Sequence, residues 1–184
     1  MKTKIYLILV SIFIAFLIYE AFNYKPTKYD PKAKRLACQS DVISFEKIYK
    51  DNYLLEAVKA LNSGNFQISS KIEYSKIMKS KLINIMDTKK LDEIVKNSIK
   101  RVAKQEQNVG DNPLVVDYYI YENDKEDTNK KNEDAKLYAG FIVFEFKYNT
   151  KLVYKMQIDY MKDDASDLEK RVDCVIKSFM LSLN

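Results

Sequence analysis

The sequence predicts an α+β chain in which an antiparallel sheet of three to four strands is packed by helices, in the order α-β-α-β-β-β-α, preceded by one N-terminal transmembrane helix. Three observations carry this. Apolar residues alternate with polar ones along four stretches, recur at helical spacing along three others, and fill an uncharged run of fifteen residues, Ile5 to Tyr19, directly after a basic start.

Residues 1–4 are a short basic N-terminus, and 5–24 is the expected membrane segment. A secretory signal and a retained anchor begin alike. A bilayer span needs about 20 residues, which is reached if Glu20 snorkels and Ala21, Phe22 and Tyr24 lie at headgroup level. Cleavage needs small residues at two positions, and Tyr19 before Ala21 and Arg35 before Ala37 do not supply them. Leu36-Ala37-Cys38 looks like a lipoprotein box, but Lys34, Arg35 and a long gap separate it from the apolar run. Retention is the expectation. Orientation carries a conflict, because Lys25, Lys28, Lys32, Lys34 and Arg35 outnumber Lys2 and Lys4, and the positive-inside rule would hold that side in the cytoplasm. The signal-like order of a short basic start before an apolar run argues for export, and export is the reading taken.

Residues 25–40, with Pro26 and Pro31 in a charged setting, read as a stalk, and 41–184 as one extracytoplasmic domain. Val42, Phe45, Ile48, Leu54, Val58 and Leu61 predict a helix over 41–62 that ends at Ser63-Gly64. Phe66 to Tyr74 alternate and predict a strand, while 76–86 is ambiguous, fitting either period imperfectly. Asp87-Thr88 caps a second helix through Leu91, Ile94, Val95, Ile99 and Val102 to about Gln105. Leu114 to Tyr121 predict a strand that is apolar on both faces, hence central or covered on two sides. Glu122 to Lys136, with six acidic and four basic residues, reads as a solvated loop that lacks the glycine and ligand spacing of a calcium loop. Ile142 to Tyr148 and Leu152 to Tyr160 form a hairpin around Asn149-Thr150 with one strongly apolar face. Ser166 and Glu169 are expected to form a capping box, opening a helix whose stripe of Leu168, Val172, Val175, Ile176, Phe179 and Leu183 covers the hairpin.

Cys174 lies off that stripe and is expected to be exposed. Outside the cytoplasm an exposed thiol pairs, and its one possible mate is Cys38, so a Cys38–Cys174 disulfide is expected. Two unpaired thiols in a cytoplasmic domain are the alternative.

The chain has no histidine and three glycines, which excludes histidine bases, triads, histidine zinc sites and Gly-rich phosphate loops. Glu145 with Asp159 is a conceivable carboxylate pair, but both fall at the wet positions of their strands. Lys+Arg 31 against Asp+Glu 26 gives a net charge of +5, concentrated in the first 35 residues, where it suits anionic lipid rather than nucleic acid. No catalytic residue, cofactor or metal site is expected.

Phe141-Ile-Val-Phe-Glu-Phe146, the Asn149-Thr150-Lys151 turn, Leu152-Val-Tyr-Lys-Met-Gln-Ile158 and the Asp167-Leu-Glu169 start of a helix with Cys174 and Phe179 resemble the C-terminal domain of the TonB/TolA group. The likeness spans about 137–183. It lacks that group's glycine in the hairpin turn, its Ser-x-Gly after the second strand and its long spacer. What the resemblance implies is an N-terminally anchored module that binds partners and does no chemistry.

The sequence thus points to a non-enzymatic protein held at the inner membrane through residues 5–24, with its C-terminal domain in the periplasm. It would serve as a structural or accessory subunit that contacts other envelope proteins or itself; secretion systems and the periplasmic rings of flagellar motors are assemblies of this kind. The alternative is a small-ligand or lipid-binding envelope domain, with Tyr118, Tyr154 and Tyr160 lining a pocket.

Overall fold

The computed structural model describes residues 36–49, 52–103, 112–129 and 133–183. The expected membrane segment and most of the stalk lie outside these. Among the described residues no helix is long and apolar enough to cross a membrane.

The elements run α1 (Ala37–Ser40), β1 (Ser44–Ile48), α2 (Leu54–Asn62), β2 (Phe66–Glu73), α3 (Thr88–Val102), β3 (Leu114–Glu122), a 3-10 turn (Glu133–Lys136), β4 (Gly140–Tyr148), β5 (Lys151–Tyr160) and α4 (Leu168–Met180). The strands form one mixed five-stranded sheet in the order β1-β5-β4-β3-β2, with helices packed on one face. The α+β class is as expected, and the sheet departs from expectation in two ways.

First, the helix expected over 41–62 is a strand followed by a helix. Val42, Phe45 and Ile48 sit three apart, as on a helix, yet β1 pairs antiparallel with β5 from Ser44 beside Ile158 to Ile48 beside Tyr154. An edge strand of five residues is too short to show its period, and the outward Phe45 is apolar although 63% exposed, which hides the alternation. Second, β2 and β3 are parallel, from Phe66 beside Leu114 to Glu73 beside Tyr121. Neighbouring parallel strands need a crossover, and α3 supplies it. The remaining pairs, β3 with β4 and β4 with β5, are antiparallel.

The hairpin forms as expected, around Asn149 and Thr150, both at positive φ (50° and 64°) as a two-residue turn requires. Gly64, at φ 76°, ends α2. Asp87 caps α3, its carboxylate accepting the Lys90 amide at 2.8 Å. Leu168, Val172, Val175, Ile176 and Phe179 of α4 are fully buried against the hairpin, whereas Leu183, past the helix end, is exposed. Phe179 stacks on Phe146 with ring centroids 4.0 Å apart and meets Tyr154 edge-on at 5.4 Å. Tyr118 stacks on Phe144 at 4.8 Å and continues this aromatic row toward β2.

Two local expectations fail here. The capping box at Ser166 and Glu169 does not form: Asp167 is the residue before the helix, and no side chain caps it. Glu169 reaches instead to Arg101 on α3, at 2.9 Å. Asp167 faces backward and accepts the Met161 and Lys162 amides at 2.9 and 3.1 Å, with Arg171 beside it. The tight turn after β5 needs those carboxylate bonds more than the helix needs a cap. Cys174, expected exposed, is buried at 2%, because α1, tied to β1 and α4 through Gln39 and bonded through Cys38, packs against it.

Candidate interaction surfaces

The ends of β2, β3 and β5 and the starts of β1 and β4 meet at one end of the sheet, where acidic side chains organise the loops. Glu122 and Asp124, at 2% and 7% exposure, are not solvated as the loop's composition implies. Glu122 accepts the Ser75, Lys81 and Leu82 amides at 3.0, 2.6 and 3.2 Å. Asp124 accepts the Ser75 hydroxyl and the Lys76, Ile77 and Met78 amides, the last three at 2.9 to 3.3 Å. Burial alone would raise the Asp124 carboxyl, but the donors from Ser75, Ile77, Lys76 and Met78 outweigh it and hold it at about 2. Asp163, after β5, takes both Lys81 and Lys125, at 2.6 and 2.8 Å, and the Lys125 and Lys81 hydrogen bonds lower its carboxyl.

The segment with an ambiguous period, 76–86, is thus neither helix nor strand but an irregular loop whose backbone is bound by two carboxylates. Met78, Leu82 and Met86 turn inward, while Ile77 and Ile83 project into solvent at 56% and 57% exposure. Ile43, Leu137 and Met161 are also exposed at this end of the sheet. Isolated exposed apolar residues are ordinary; Ile77 and Ile83 differ in sitting on a loop whose backbone is held by charged hydrogen bonds.

The sheet face away from the helices is the second surface. Half-buried Tyr119, Tyr121 and Phe141 cover its middle around the buried Val143, with Tyr121 and Phe141 stacked at 4.8 Å and the exposed Phe45 at the β1 edge. Beside them Lys147 bridges Asp117 and Glu145 at 2.6 and 2.9 Å, and Lys155 reaches Glu145 at 2.7 Å. The Lys155 and Lys147 bonds lower the Glu145 carboxyl. Glu145 and Asp159 share this face but do not oppose each other, since Glu145 pairs with Lys155 and Asp159 with Phe141. Asp159 is not wet, at 4% exposure, and burial pushes its carboxyl up to about 6.

The third feature is the strap across β1. Cys38 and Cys174 are bonded, with Cα atoms 5.9 Å apart and a sequence separation of 136. The neighbouring Gln39, buried at 1%, donates to Glu46 on β1 at 2.8 Å and to Ser178 on α4 at 3.1 Å. Ser44 donates to the Gln39 carbonyl at 2.8 Å, and the Tyr154 hydroxyl to Glu46 at 2.7 Å. The stalk as drawn to residue 40 therefore ends in a structural element. Nothing in the sequence marks Gln39 as a hub; the one signal is its place beside Cys38.

A ligand pocket on the hairpin's aromatic side would need Tyr118, Tyr154 and Tyr160 to line a void. They pack into the core at 2%, 0% and 0% exposure, and burial raises the Tyr118 and Tyr160 hydroxyls well above the ordinary phenol range. A depression of ≈ 240 Å³ by the hairpin turn is lined by Asn112, Pro113, Val115, Lys147, Asn149 and Thr150, without convergent charged or aromatic groups. Among the described residues no cluster of metal-ligating side chains occurs. No family model matches the chain, and neither a curated protein nor a solved structure was found to be similar to it.

Proposed function

We propose that this chain is a non-enzymatic, single-pass envelope protein, anchored in the inner membrane by residues 5–24, whose C-terminal domain works in the periplasm as a structural or accessory subunit by binding other proteins. The observation that carries the reading is the Cys38–Cys174 bond. Disulfides persist in oxidising compartments and are rare in the cytosol, so a bonded pair that straps the start of the domain to its last helix favours export over the flanking lysines that argue against it. The fixed loops with Ile77 and Ile83 outward and the aromatic sheet face supply surfaces for partners without supplying chemistry. The terminal unit of β4, β5 and α4 is the portion that resembles the TonB/TolA module, whose work is also contact.

Crosslinking in native membranes followed by affinity purification tests this. The expected result is a defined set of envelope proteins recovered in one large complex with the anchored chain. Recovery of the chain alone from the soluble fraction contradicts it.

A further inference from the structure

The two edges of the sheet are built differently. At β1 the carboxylate of Glu46 turns inward to Tyr154 and Gln39, and α1 is strapped beside it by the disulfide. An inward charge and a covering element are the devices that stop a sheet from adding strands. At the other edge β2 runs for eight residues with unbroken register, no proline and no bulge. The Leu114 amide donates to the Asn65 carbonyl at 3.0 Å while Phe66 lies beside Leu114. In that parallel ladder Gln67, Ser69 and Lys71 turn their peptide groups toward β3, and Phe66, Ile68, Ser70 and Ile72 turn theirs outward. No backbone group among the described residues pairs with those four. The core thins at the same edge: Phe66, Ile68 and Ile72, and Ile94 on the overlying α3, are only half-buried, whereas the inward residues of β3 are covered almost completely.

We propose that β2 is a pairing edge for a second copy of this chain, joined antiparallel about a two-fold axis at Ser69 to give one continuous sheet. The strand is compatible with itself in that register. Phe66 falls opposite Ile72 of the second copy and Ile68 opposite its Ser70, so the half-buried row on the helix side is completed. On the other face Gln67 meets Lys71 and Ser69 meets Ser69, and no like charges oppose each other; Lys71 is already paired with Glu73 at 2.6 Å. An unrelated extended peptide would satisfy the backbone, but the matched apolar row and the absence of charge conflict select the strand's own sequence. The inference concerns this edge alone and does not depend on the compartment of the domain.

The test uses the full chain in a mild detergent. Both native cysteines are bonded to each other, so an introduced thiol is the free one. Ser69→Cys falls at a non-hydrogen-bonded pair, where Cα atoms lie about 4.5 Å apart, and oxidation is expected to convert it almost wholly to a covalent dimer. Gln67→Cys is the register control: the two-fold places its copies about 14 Å apart, and it should crosslink at least about tenfold less. Ser70→Pro removes an outward N–H at a position an edge strand tolerates, and should abolish the two-copy mass seen by light scattering while leaving the circular dichroism unchanged. A single-copy mass for the unmodified chain, or Gln67→Cys crosslinking as readily as Ser69→Cys, overturns the proposal. The cysteine comparison decides the matter even where Ser70→Pro fails to fold. A topology experiment that sank the envelope reading would leave these outcomes unchanged.

Discussion

Asp159 lies on the helix-free face of β5, almost wholly buried, and its carboxyl is pushed from an ordinary 3.8 up to about 6. A carboxyl raised in the folded state binds its proton more tightly there than in the unfolded chain, so ionisation opposes folding. The penalty is absent below pH 3.8, grows between that value and about 6, and is complete above it. Asp159→Asn is therefore expected to stabilise by about 2 kcal/mol at pH 8, with the gain vanishing near pH 4, in denaturant titrations at the two pH values. Asp124 is the opposite case. Its folded value of about 2 lies below its ordinary 3.8, so it contributes stability that is full above pH 3.8 and is lost as pH falls through 2. Asp124→Asn should cost about 2 kcal/mol at neutral pH and speed hydrogen exchange at Lys76, Ile77 and Met78. Neither role was legible in the sequence. An acidic loop of that composition reads as solvated, and only the fold brings the 75–82 amides to Glu122 and Asp124, some 40 residues further along the chain.

At the scale of elements, legibility follows how much signal each segment holds within itself. The hairpin of β4 and β5 and the stripe of α4 were readable because nine or more residues repeat one period and the turn is marked by Asn149-Thr150. β1 was not, since five residues at an edge, with Phe45 outward, repeat nothing clearly. The parallel pairing of β2 with β3 is a property of the crossover through α3, which no local pattern encodes. The disulfide is legible by elimination among two cysteines, yet the burial of Cys174 is not, because helical periodicity places a residue relative to its own helix and not relative to α1. Closing a loop of 136 residues stabilises by up to about 5 kcal/mol in the chain-entropy model. Cys38→Ser is expected to lower the unfolding midpoint in denaturant, and reductant should lower that of the unmodified chain to match. It should also slow migration on a non-reducing gel. Equal midpoints with and without reductant would show that the bond contributes nothing to the fold.

For the whole molecule, the strapped β1 edge, the carboxylate-bound loops and the half-buried aromatic face are the features on which the proposed contact role rests, and its place of work follows from where the chain is delivered. That placement is the claim on which the bonded cysteines and the envelope partners both depend. The most direct measurement is a pair of fusions after Asn184, one to a reporter active only in the periplasm and one to a reporter active only in the cytosol. The account predicts activity from the periplasmic reporter and none from the cytosolic one. The reverse pattern would contradict it.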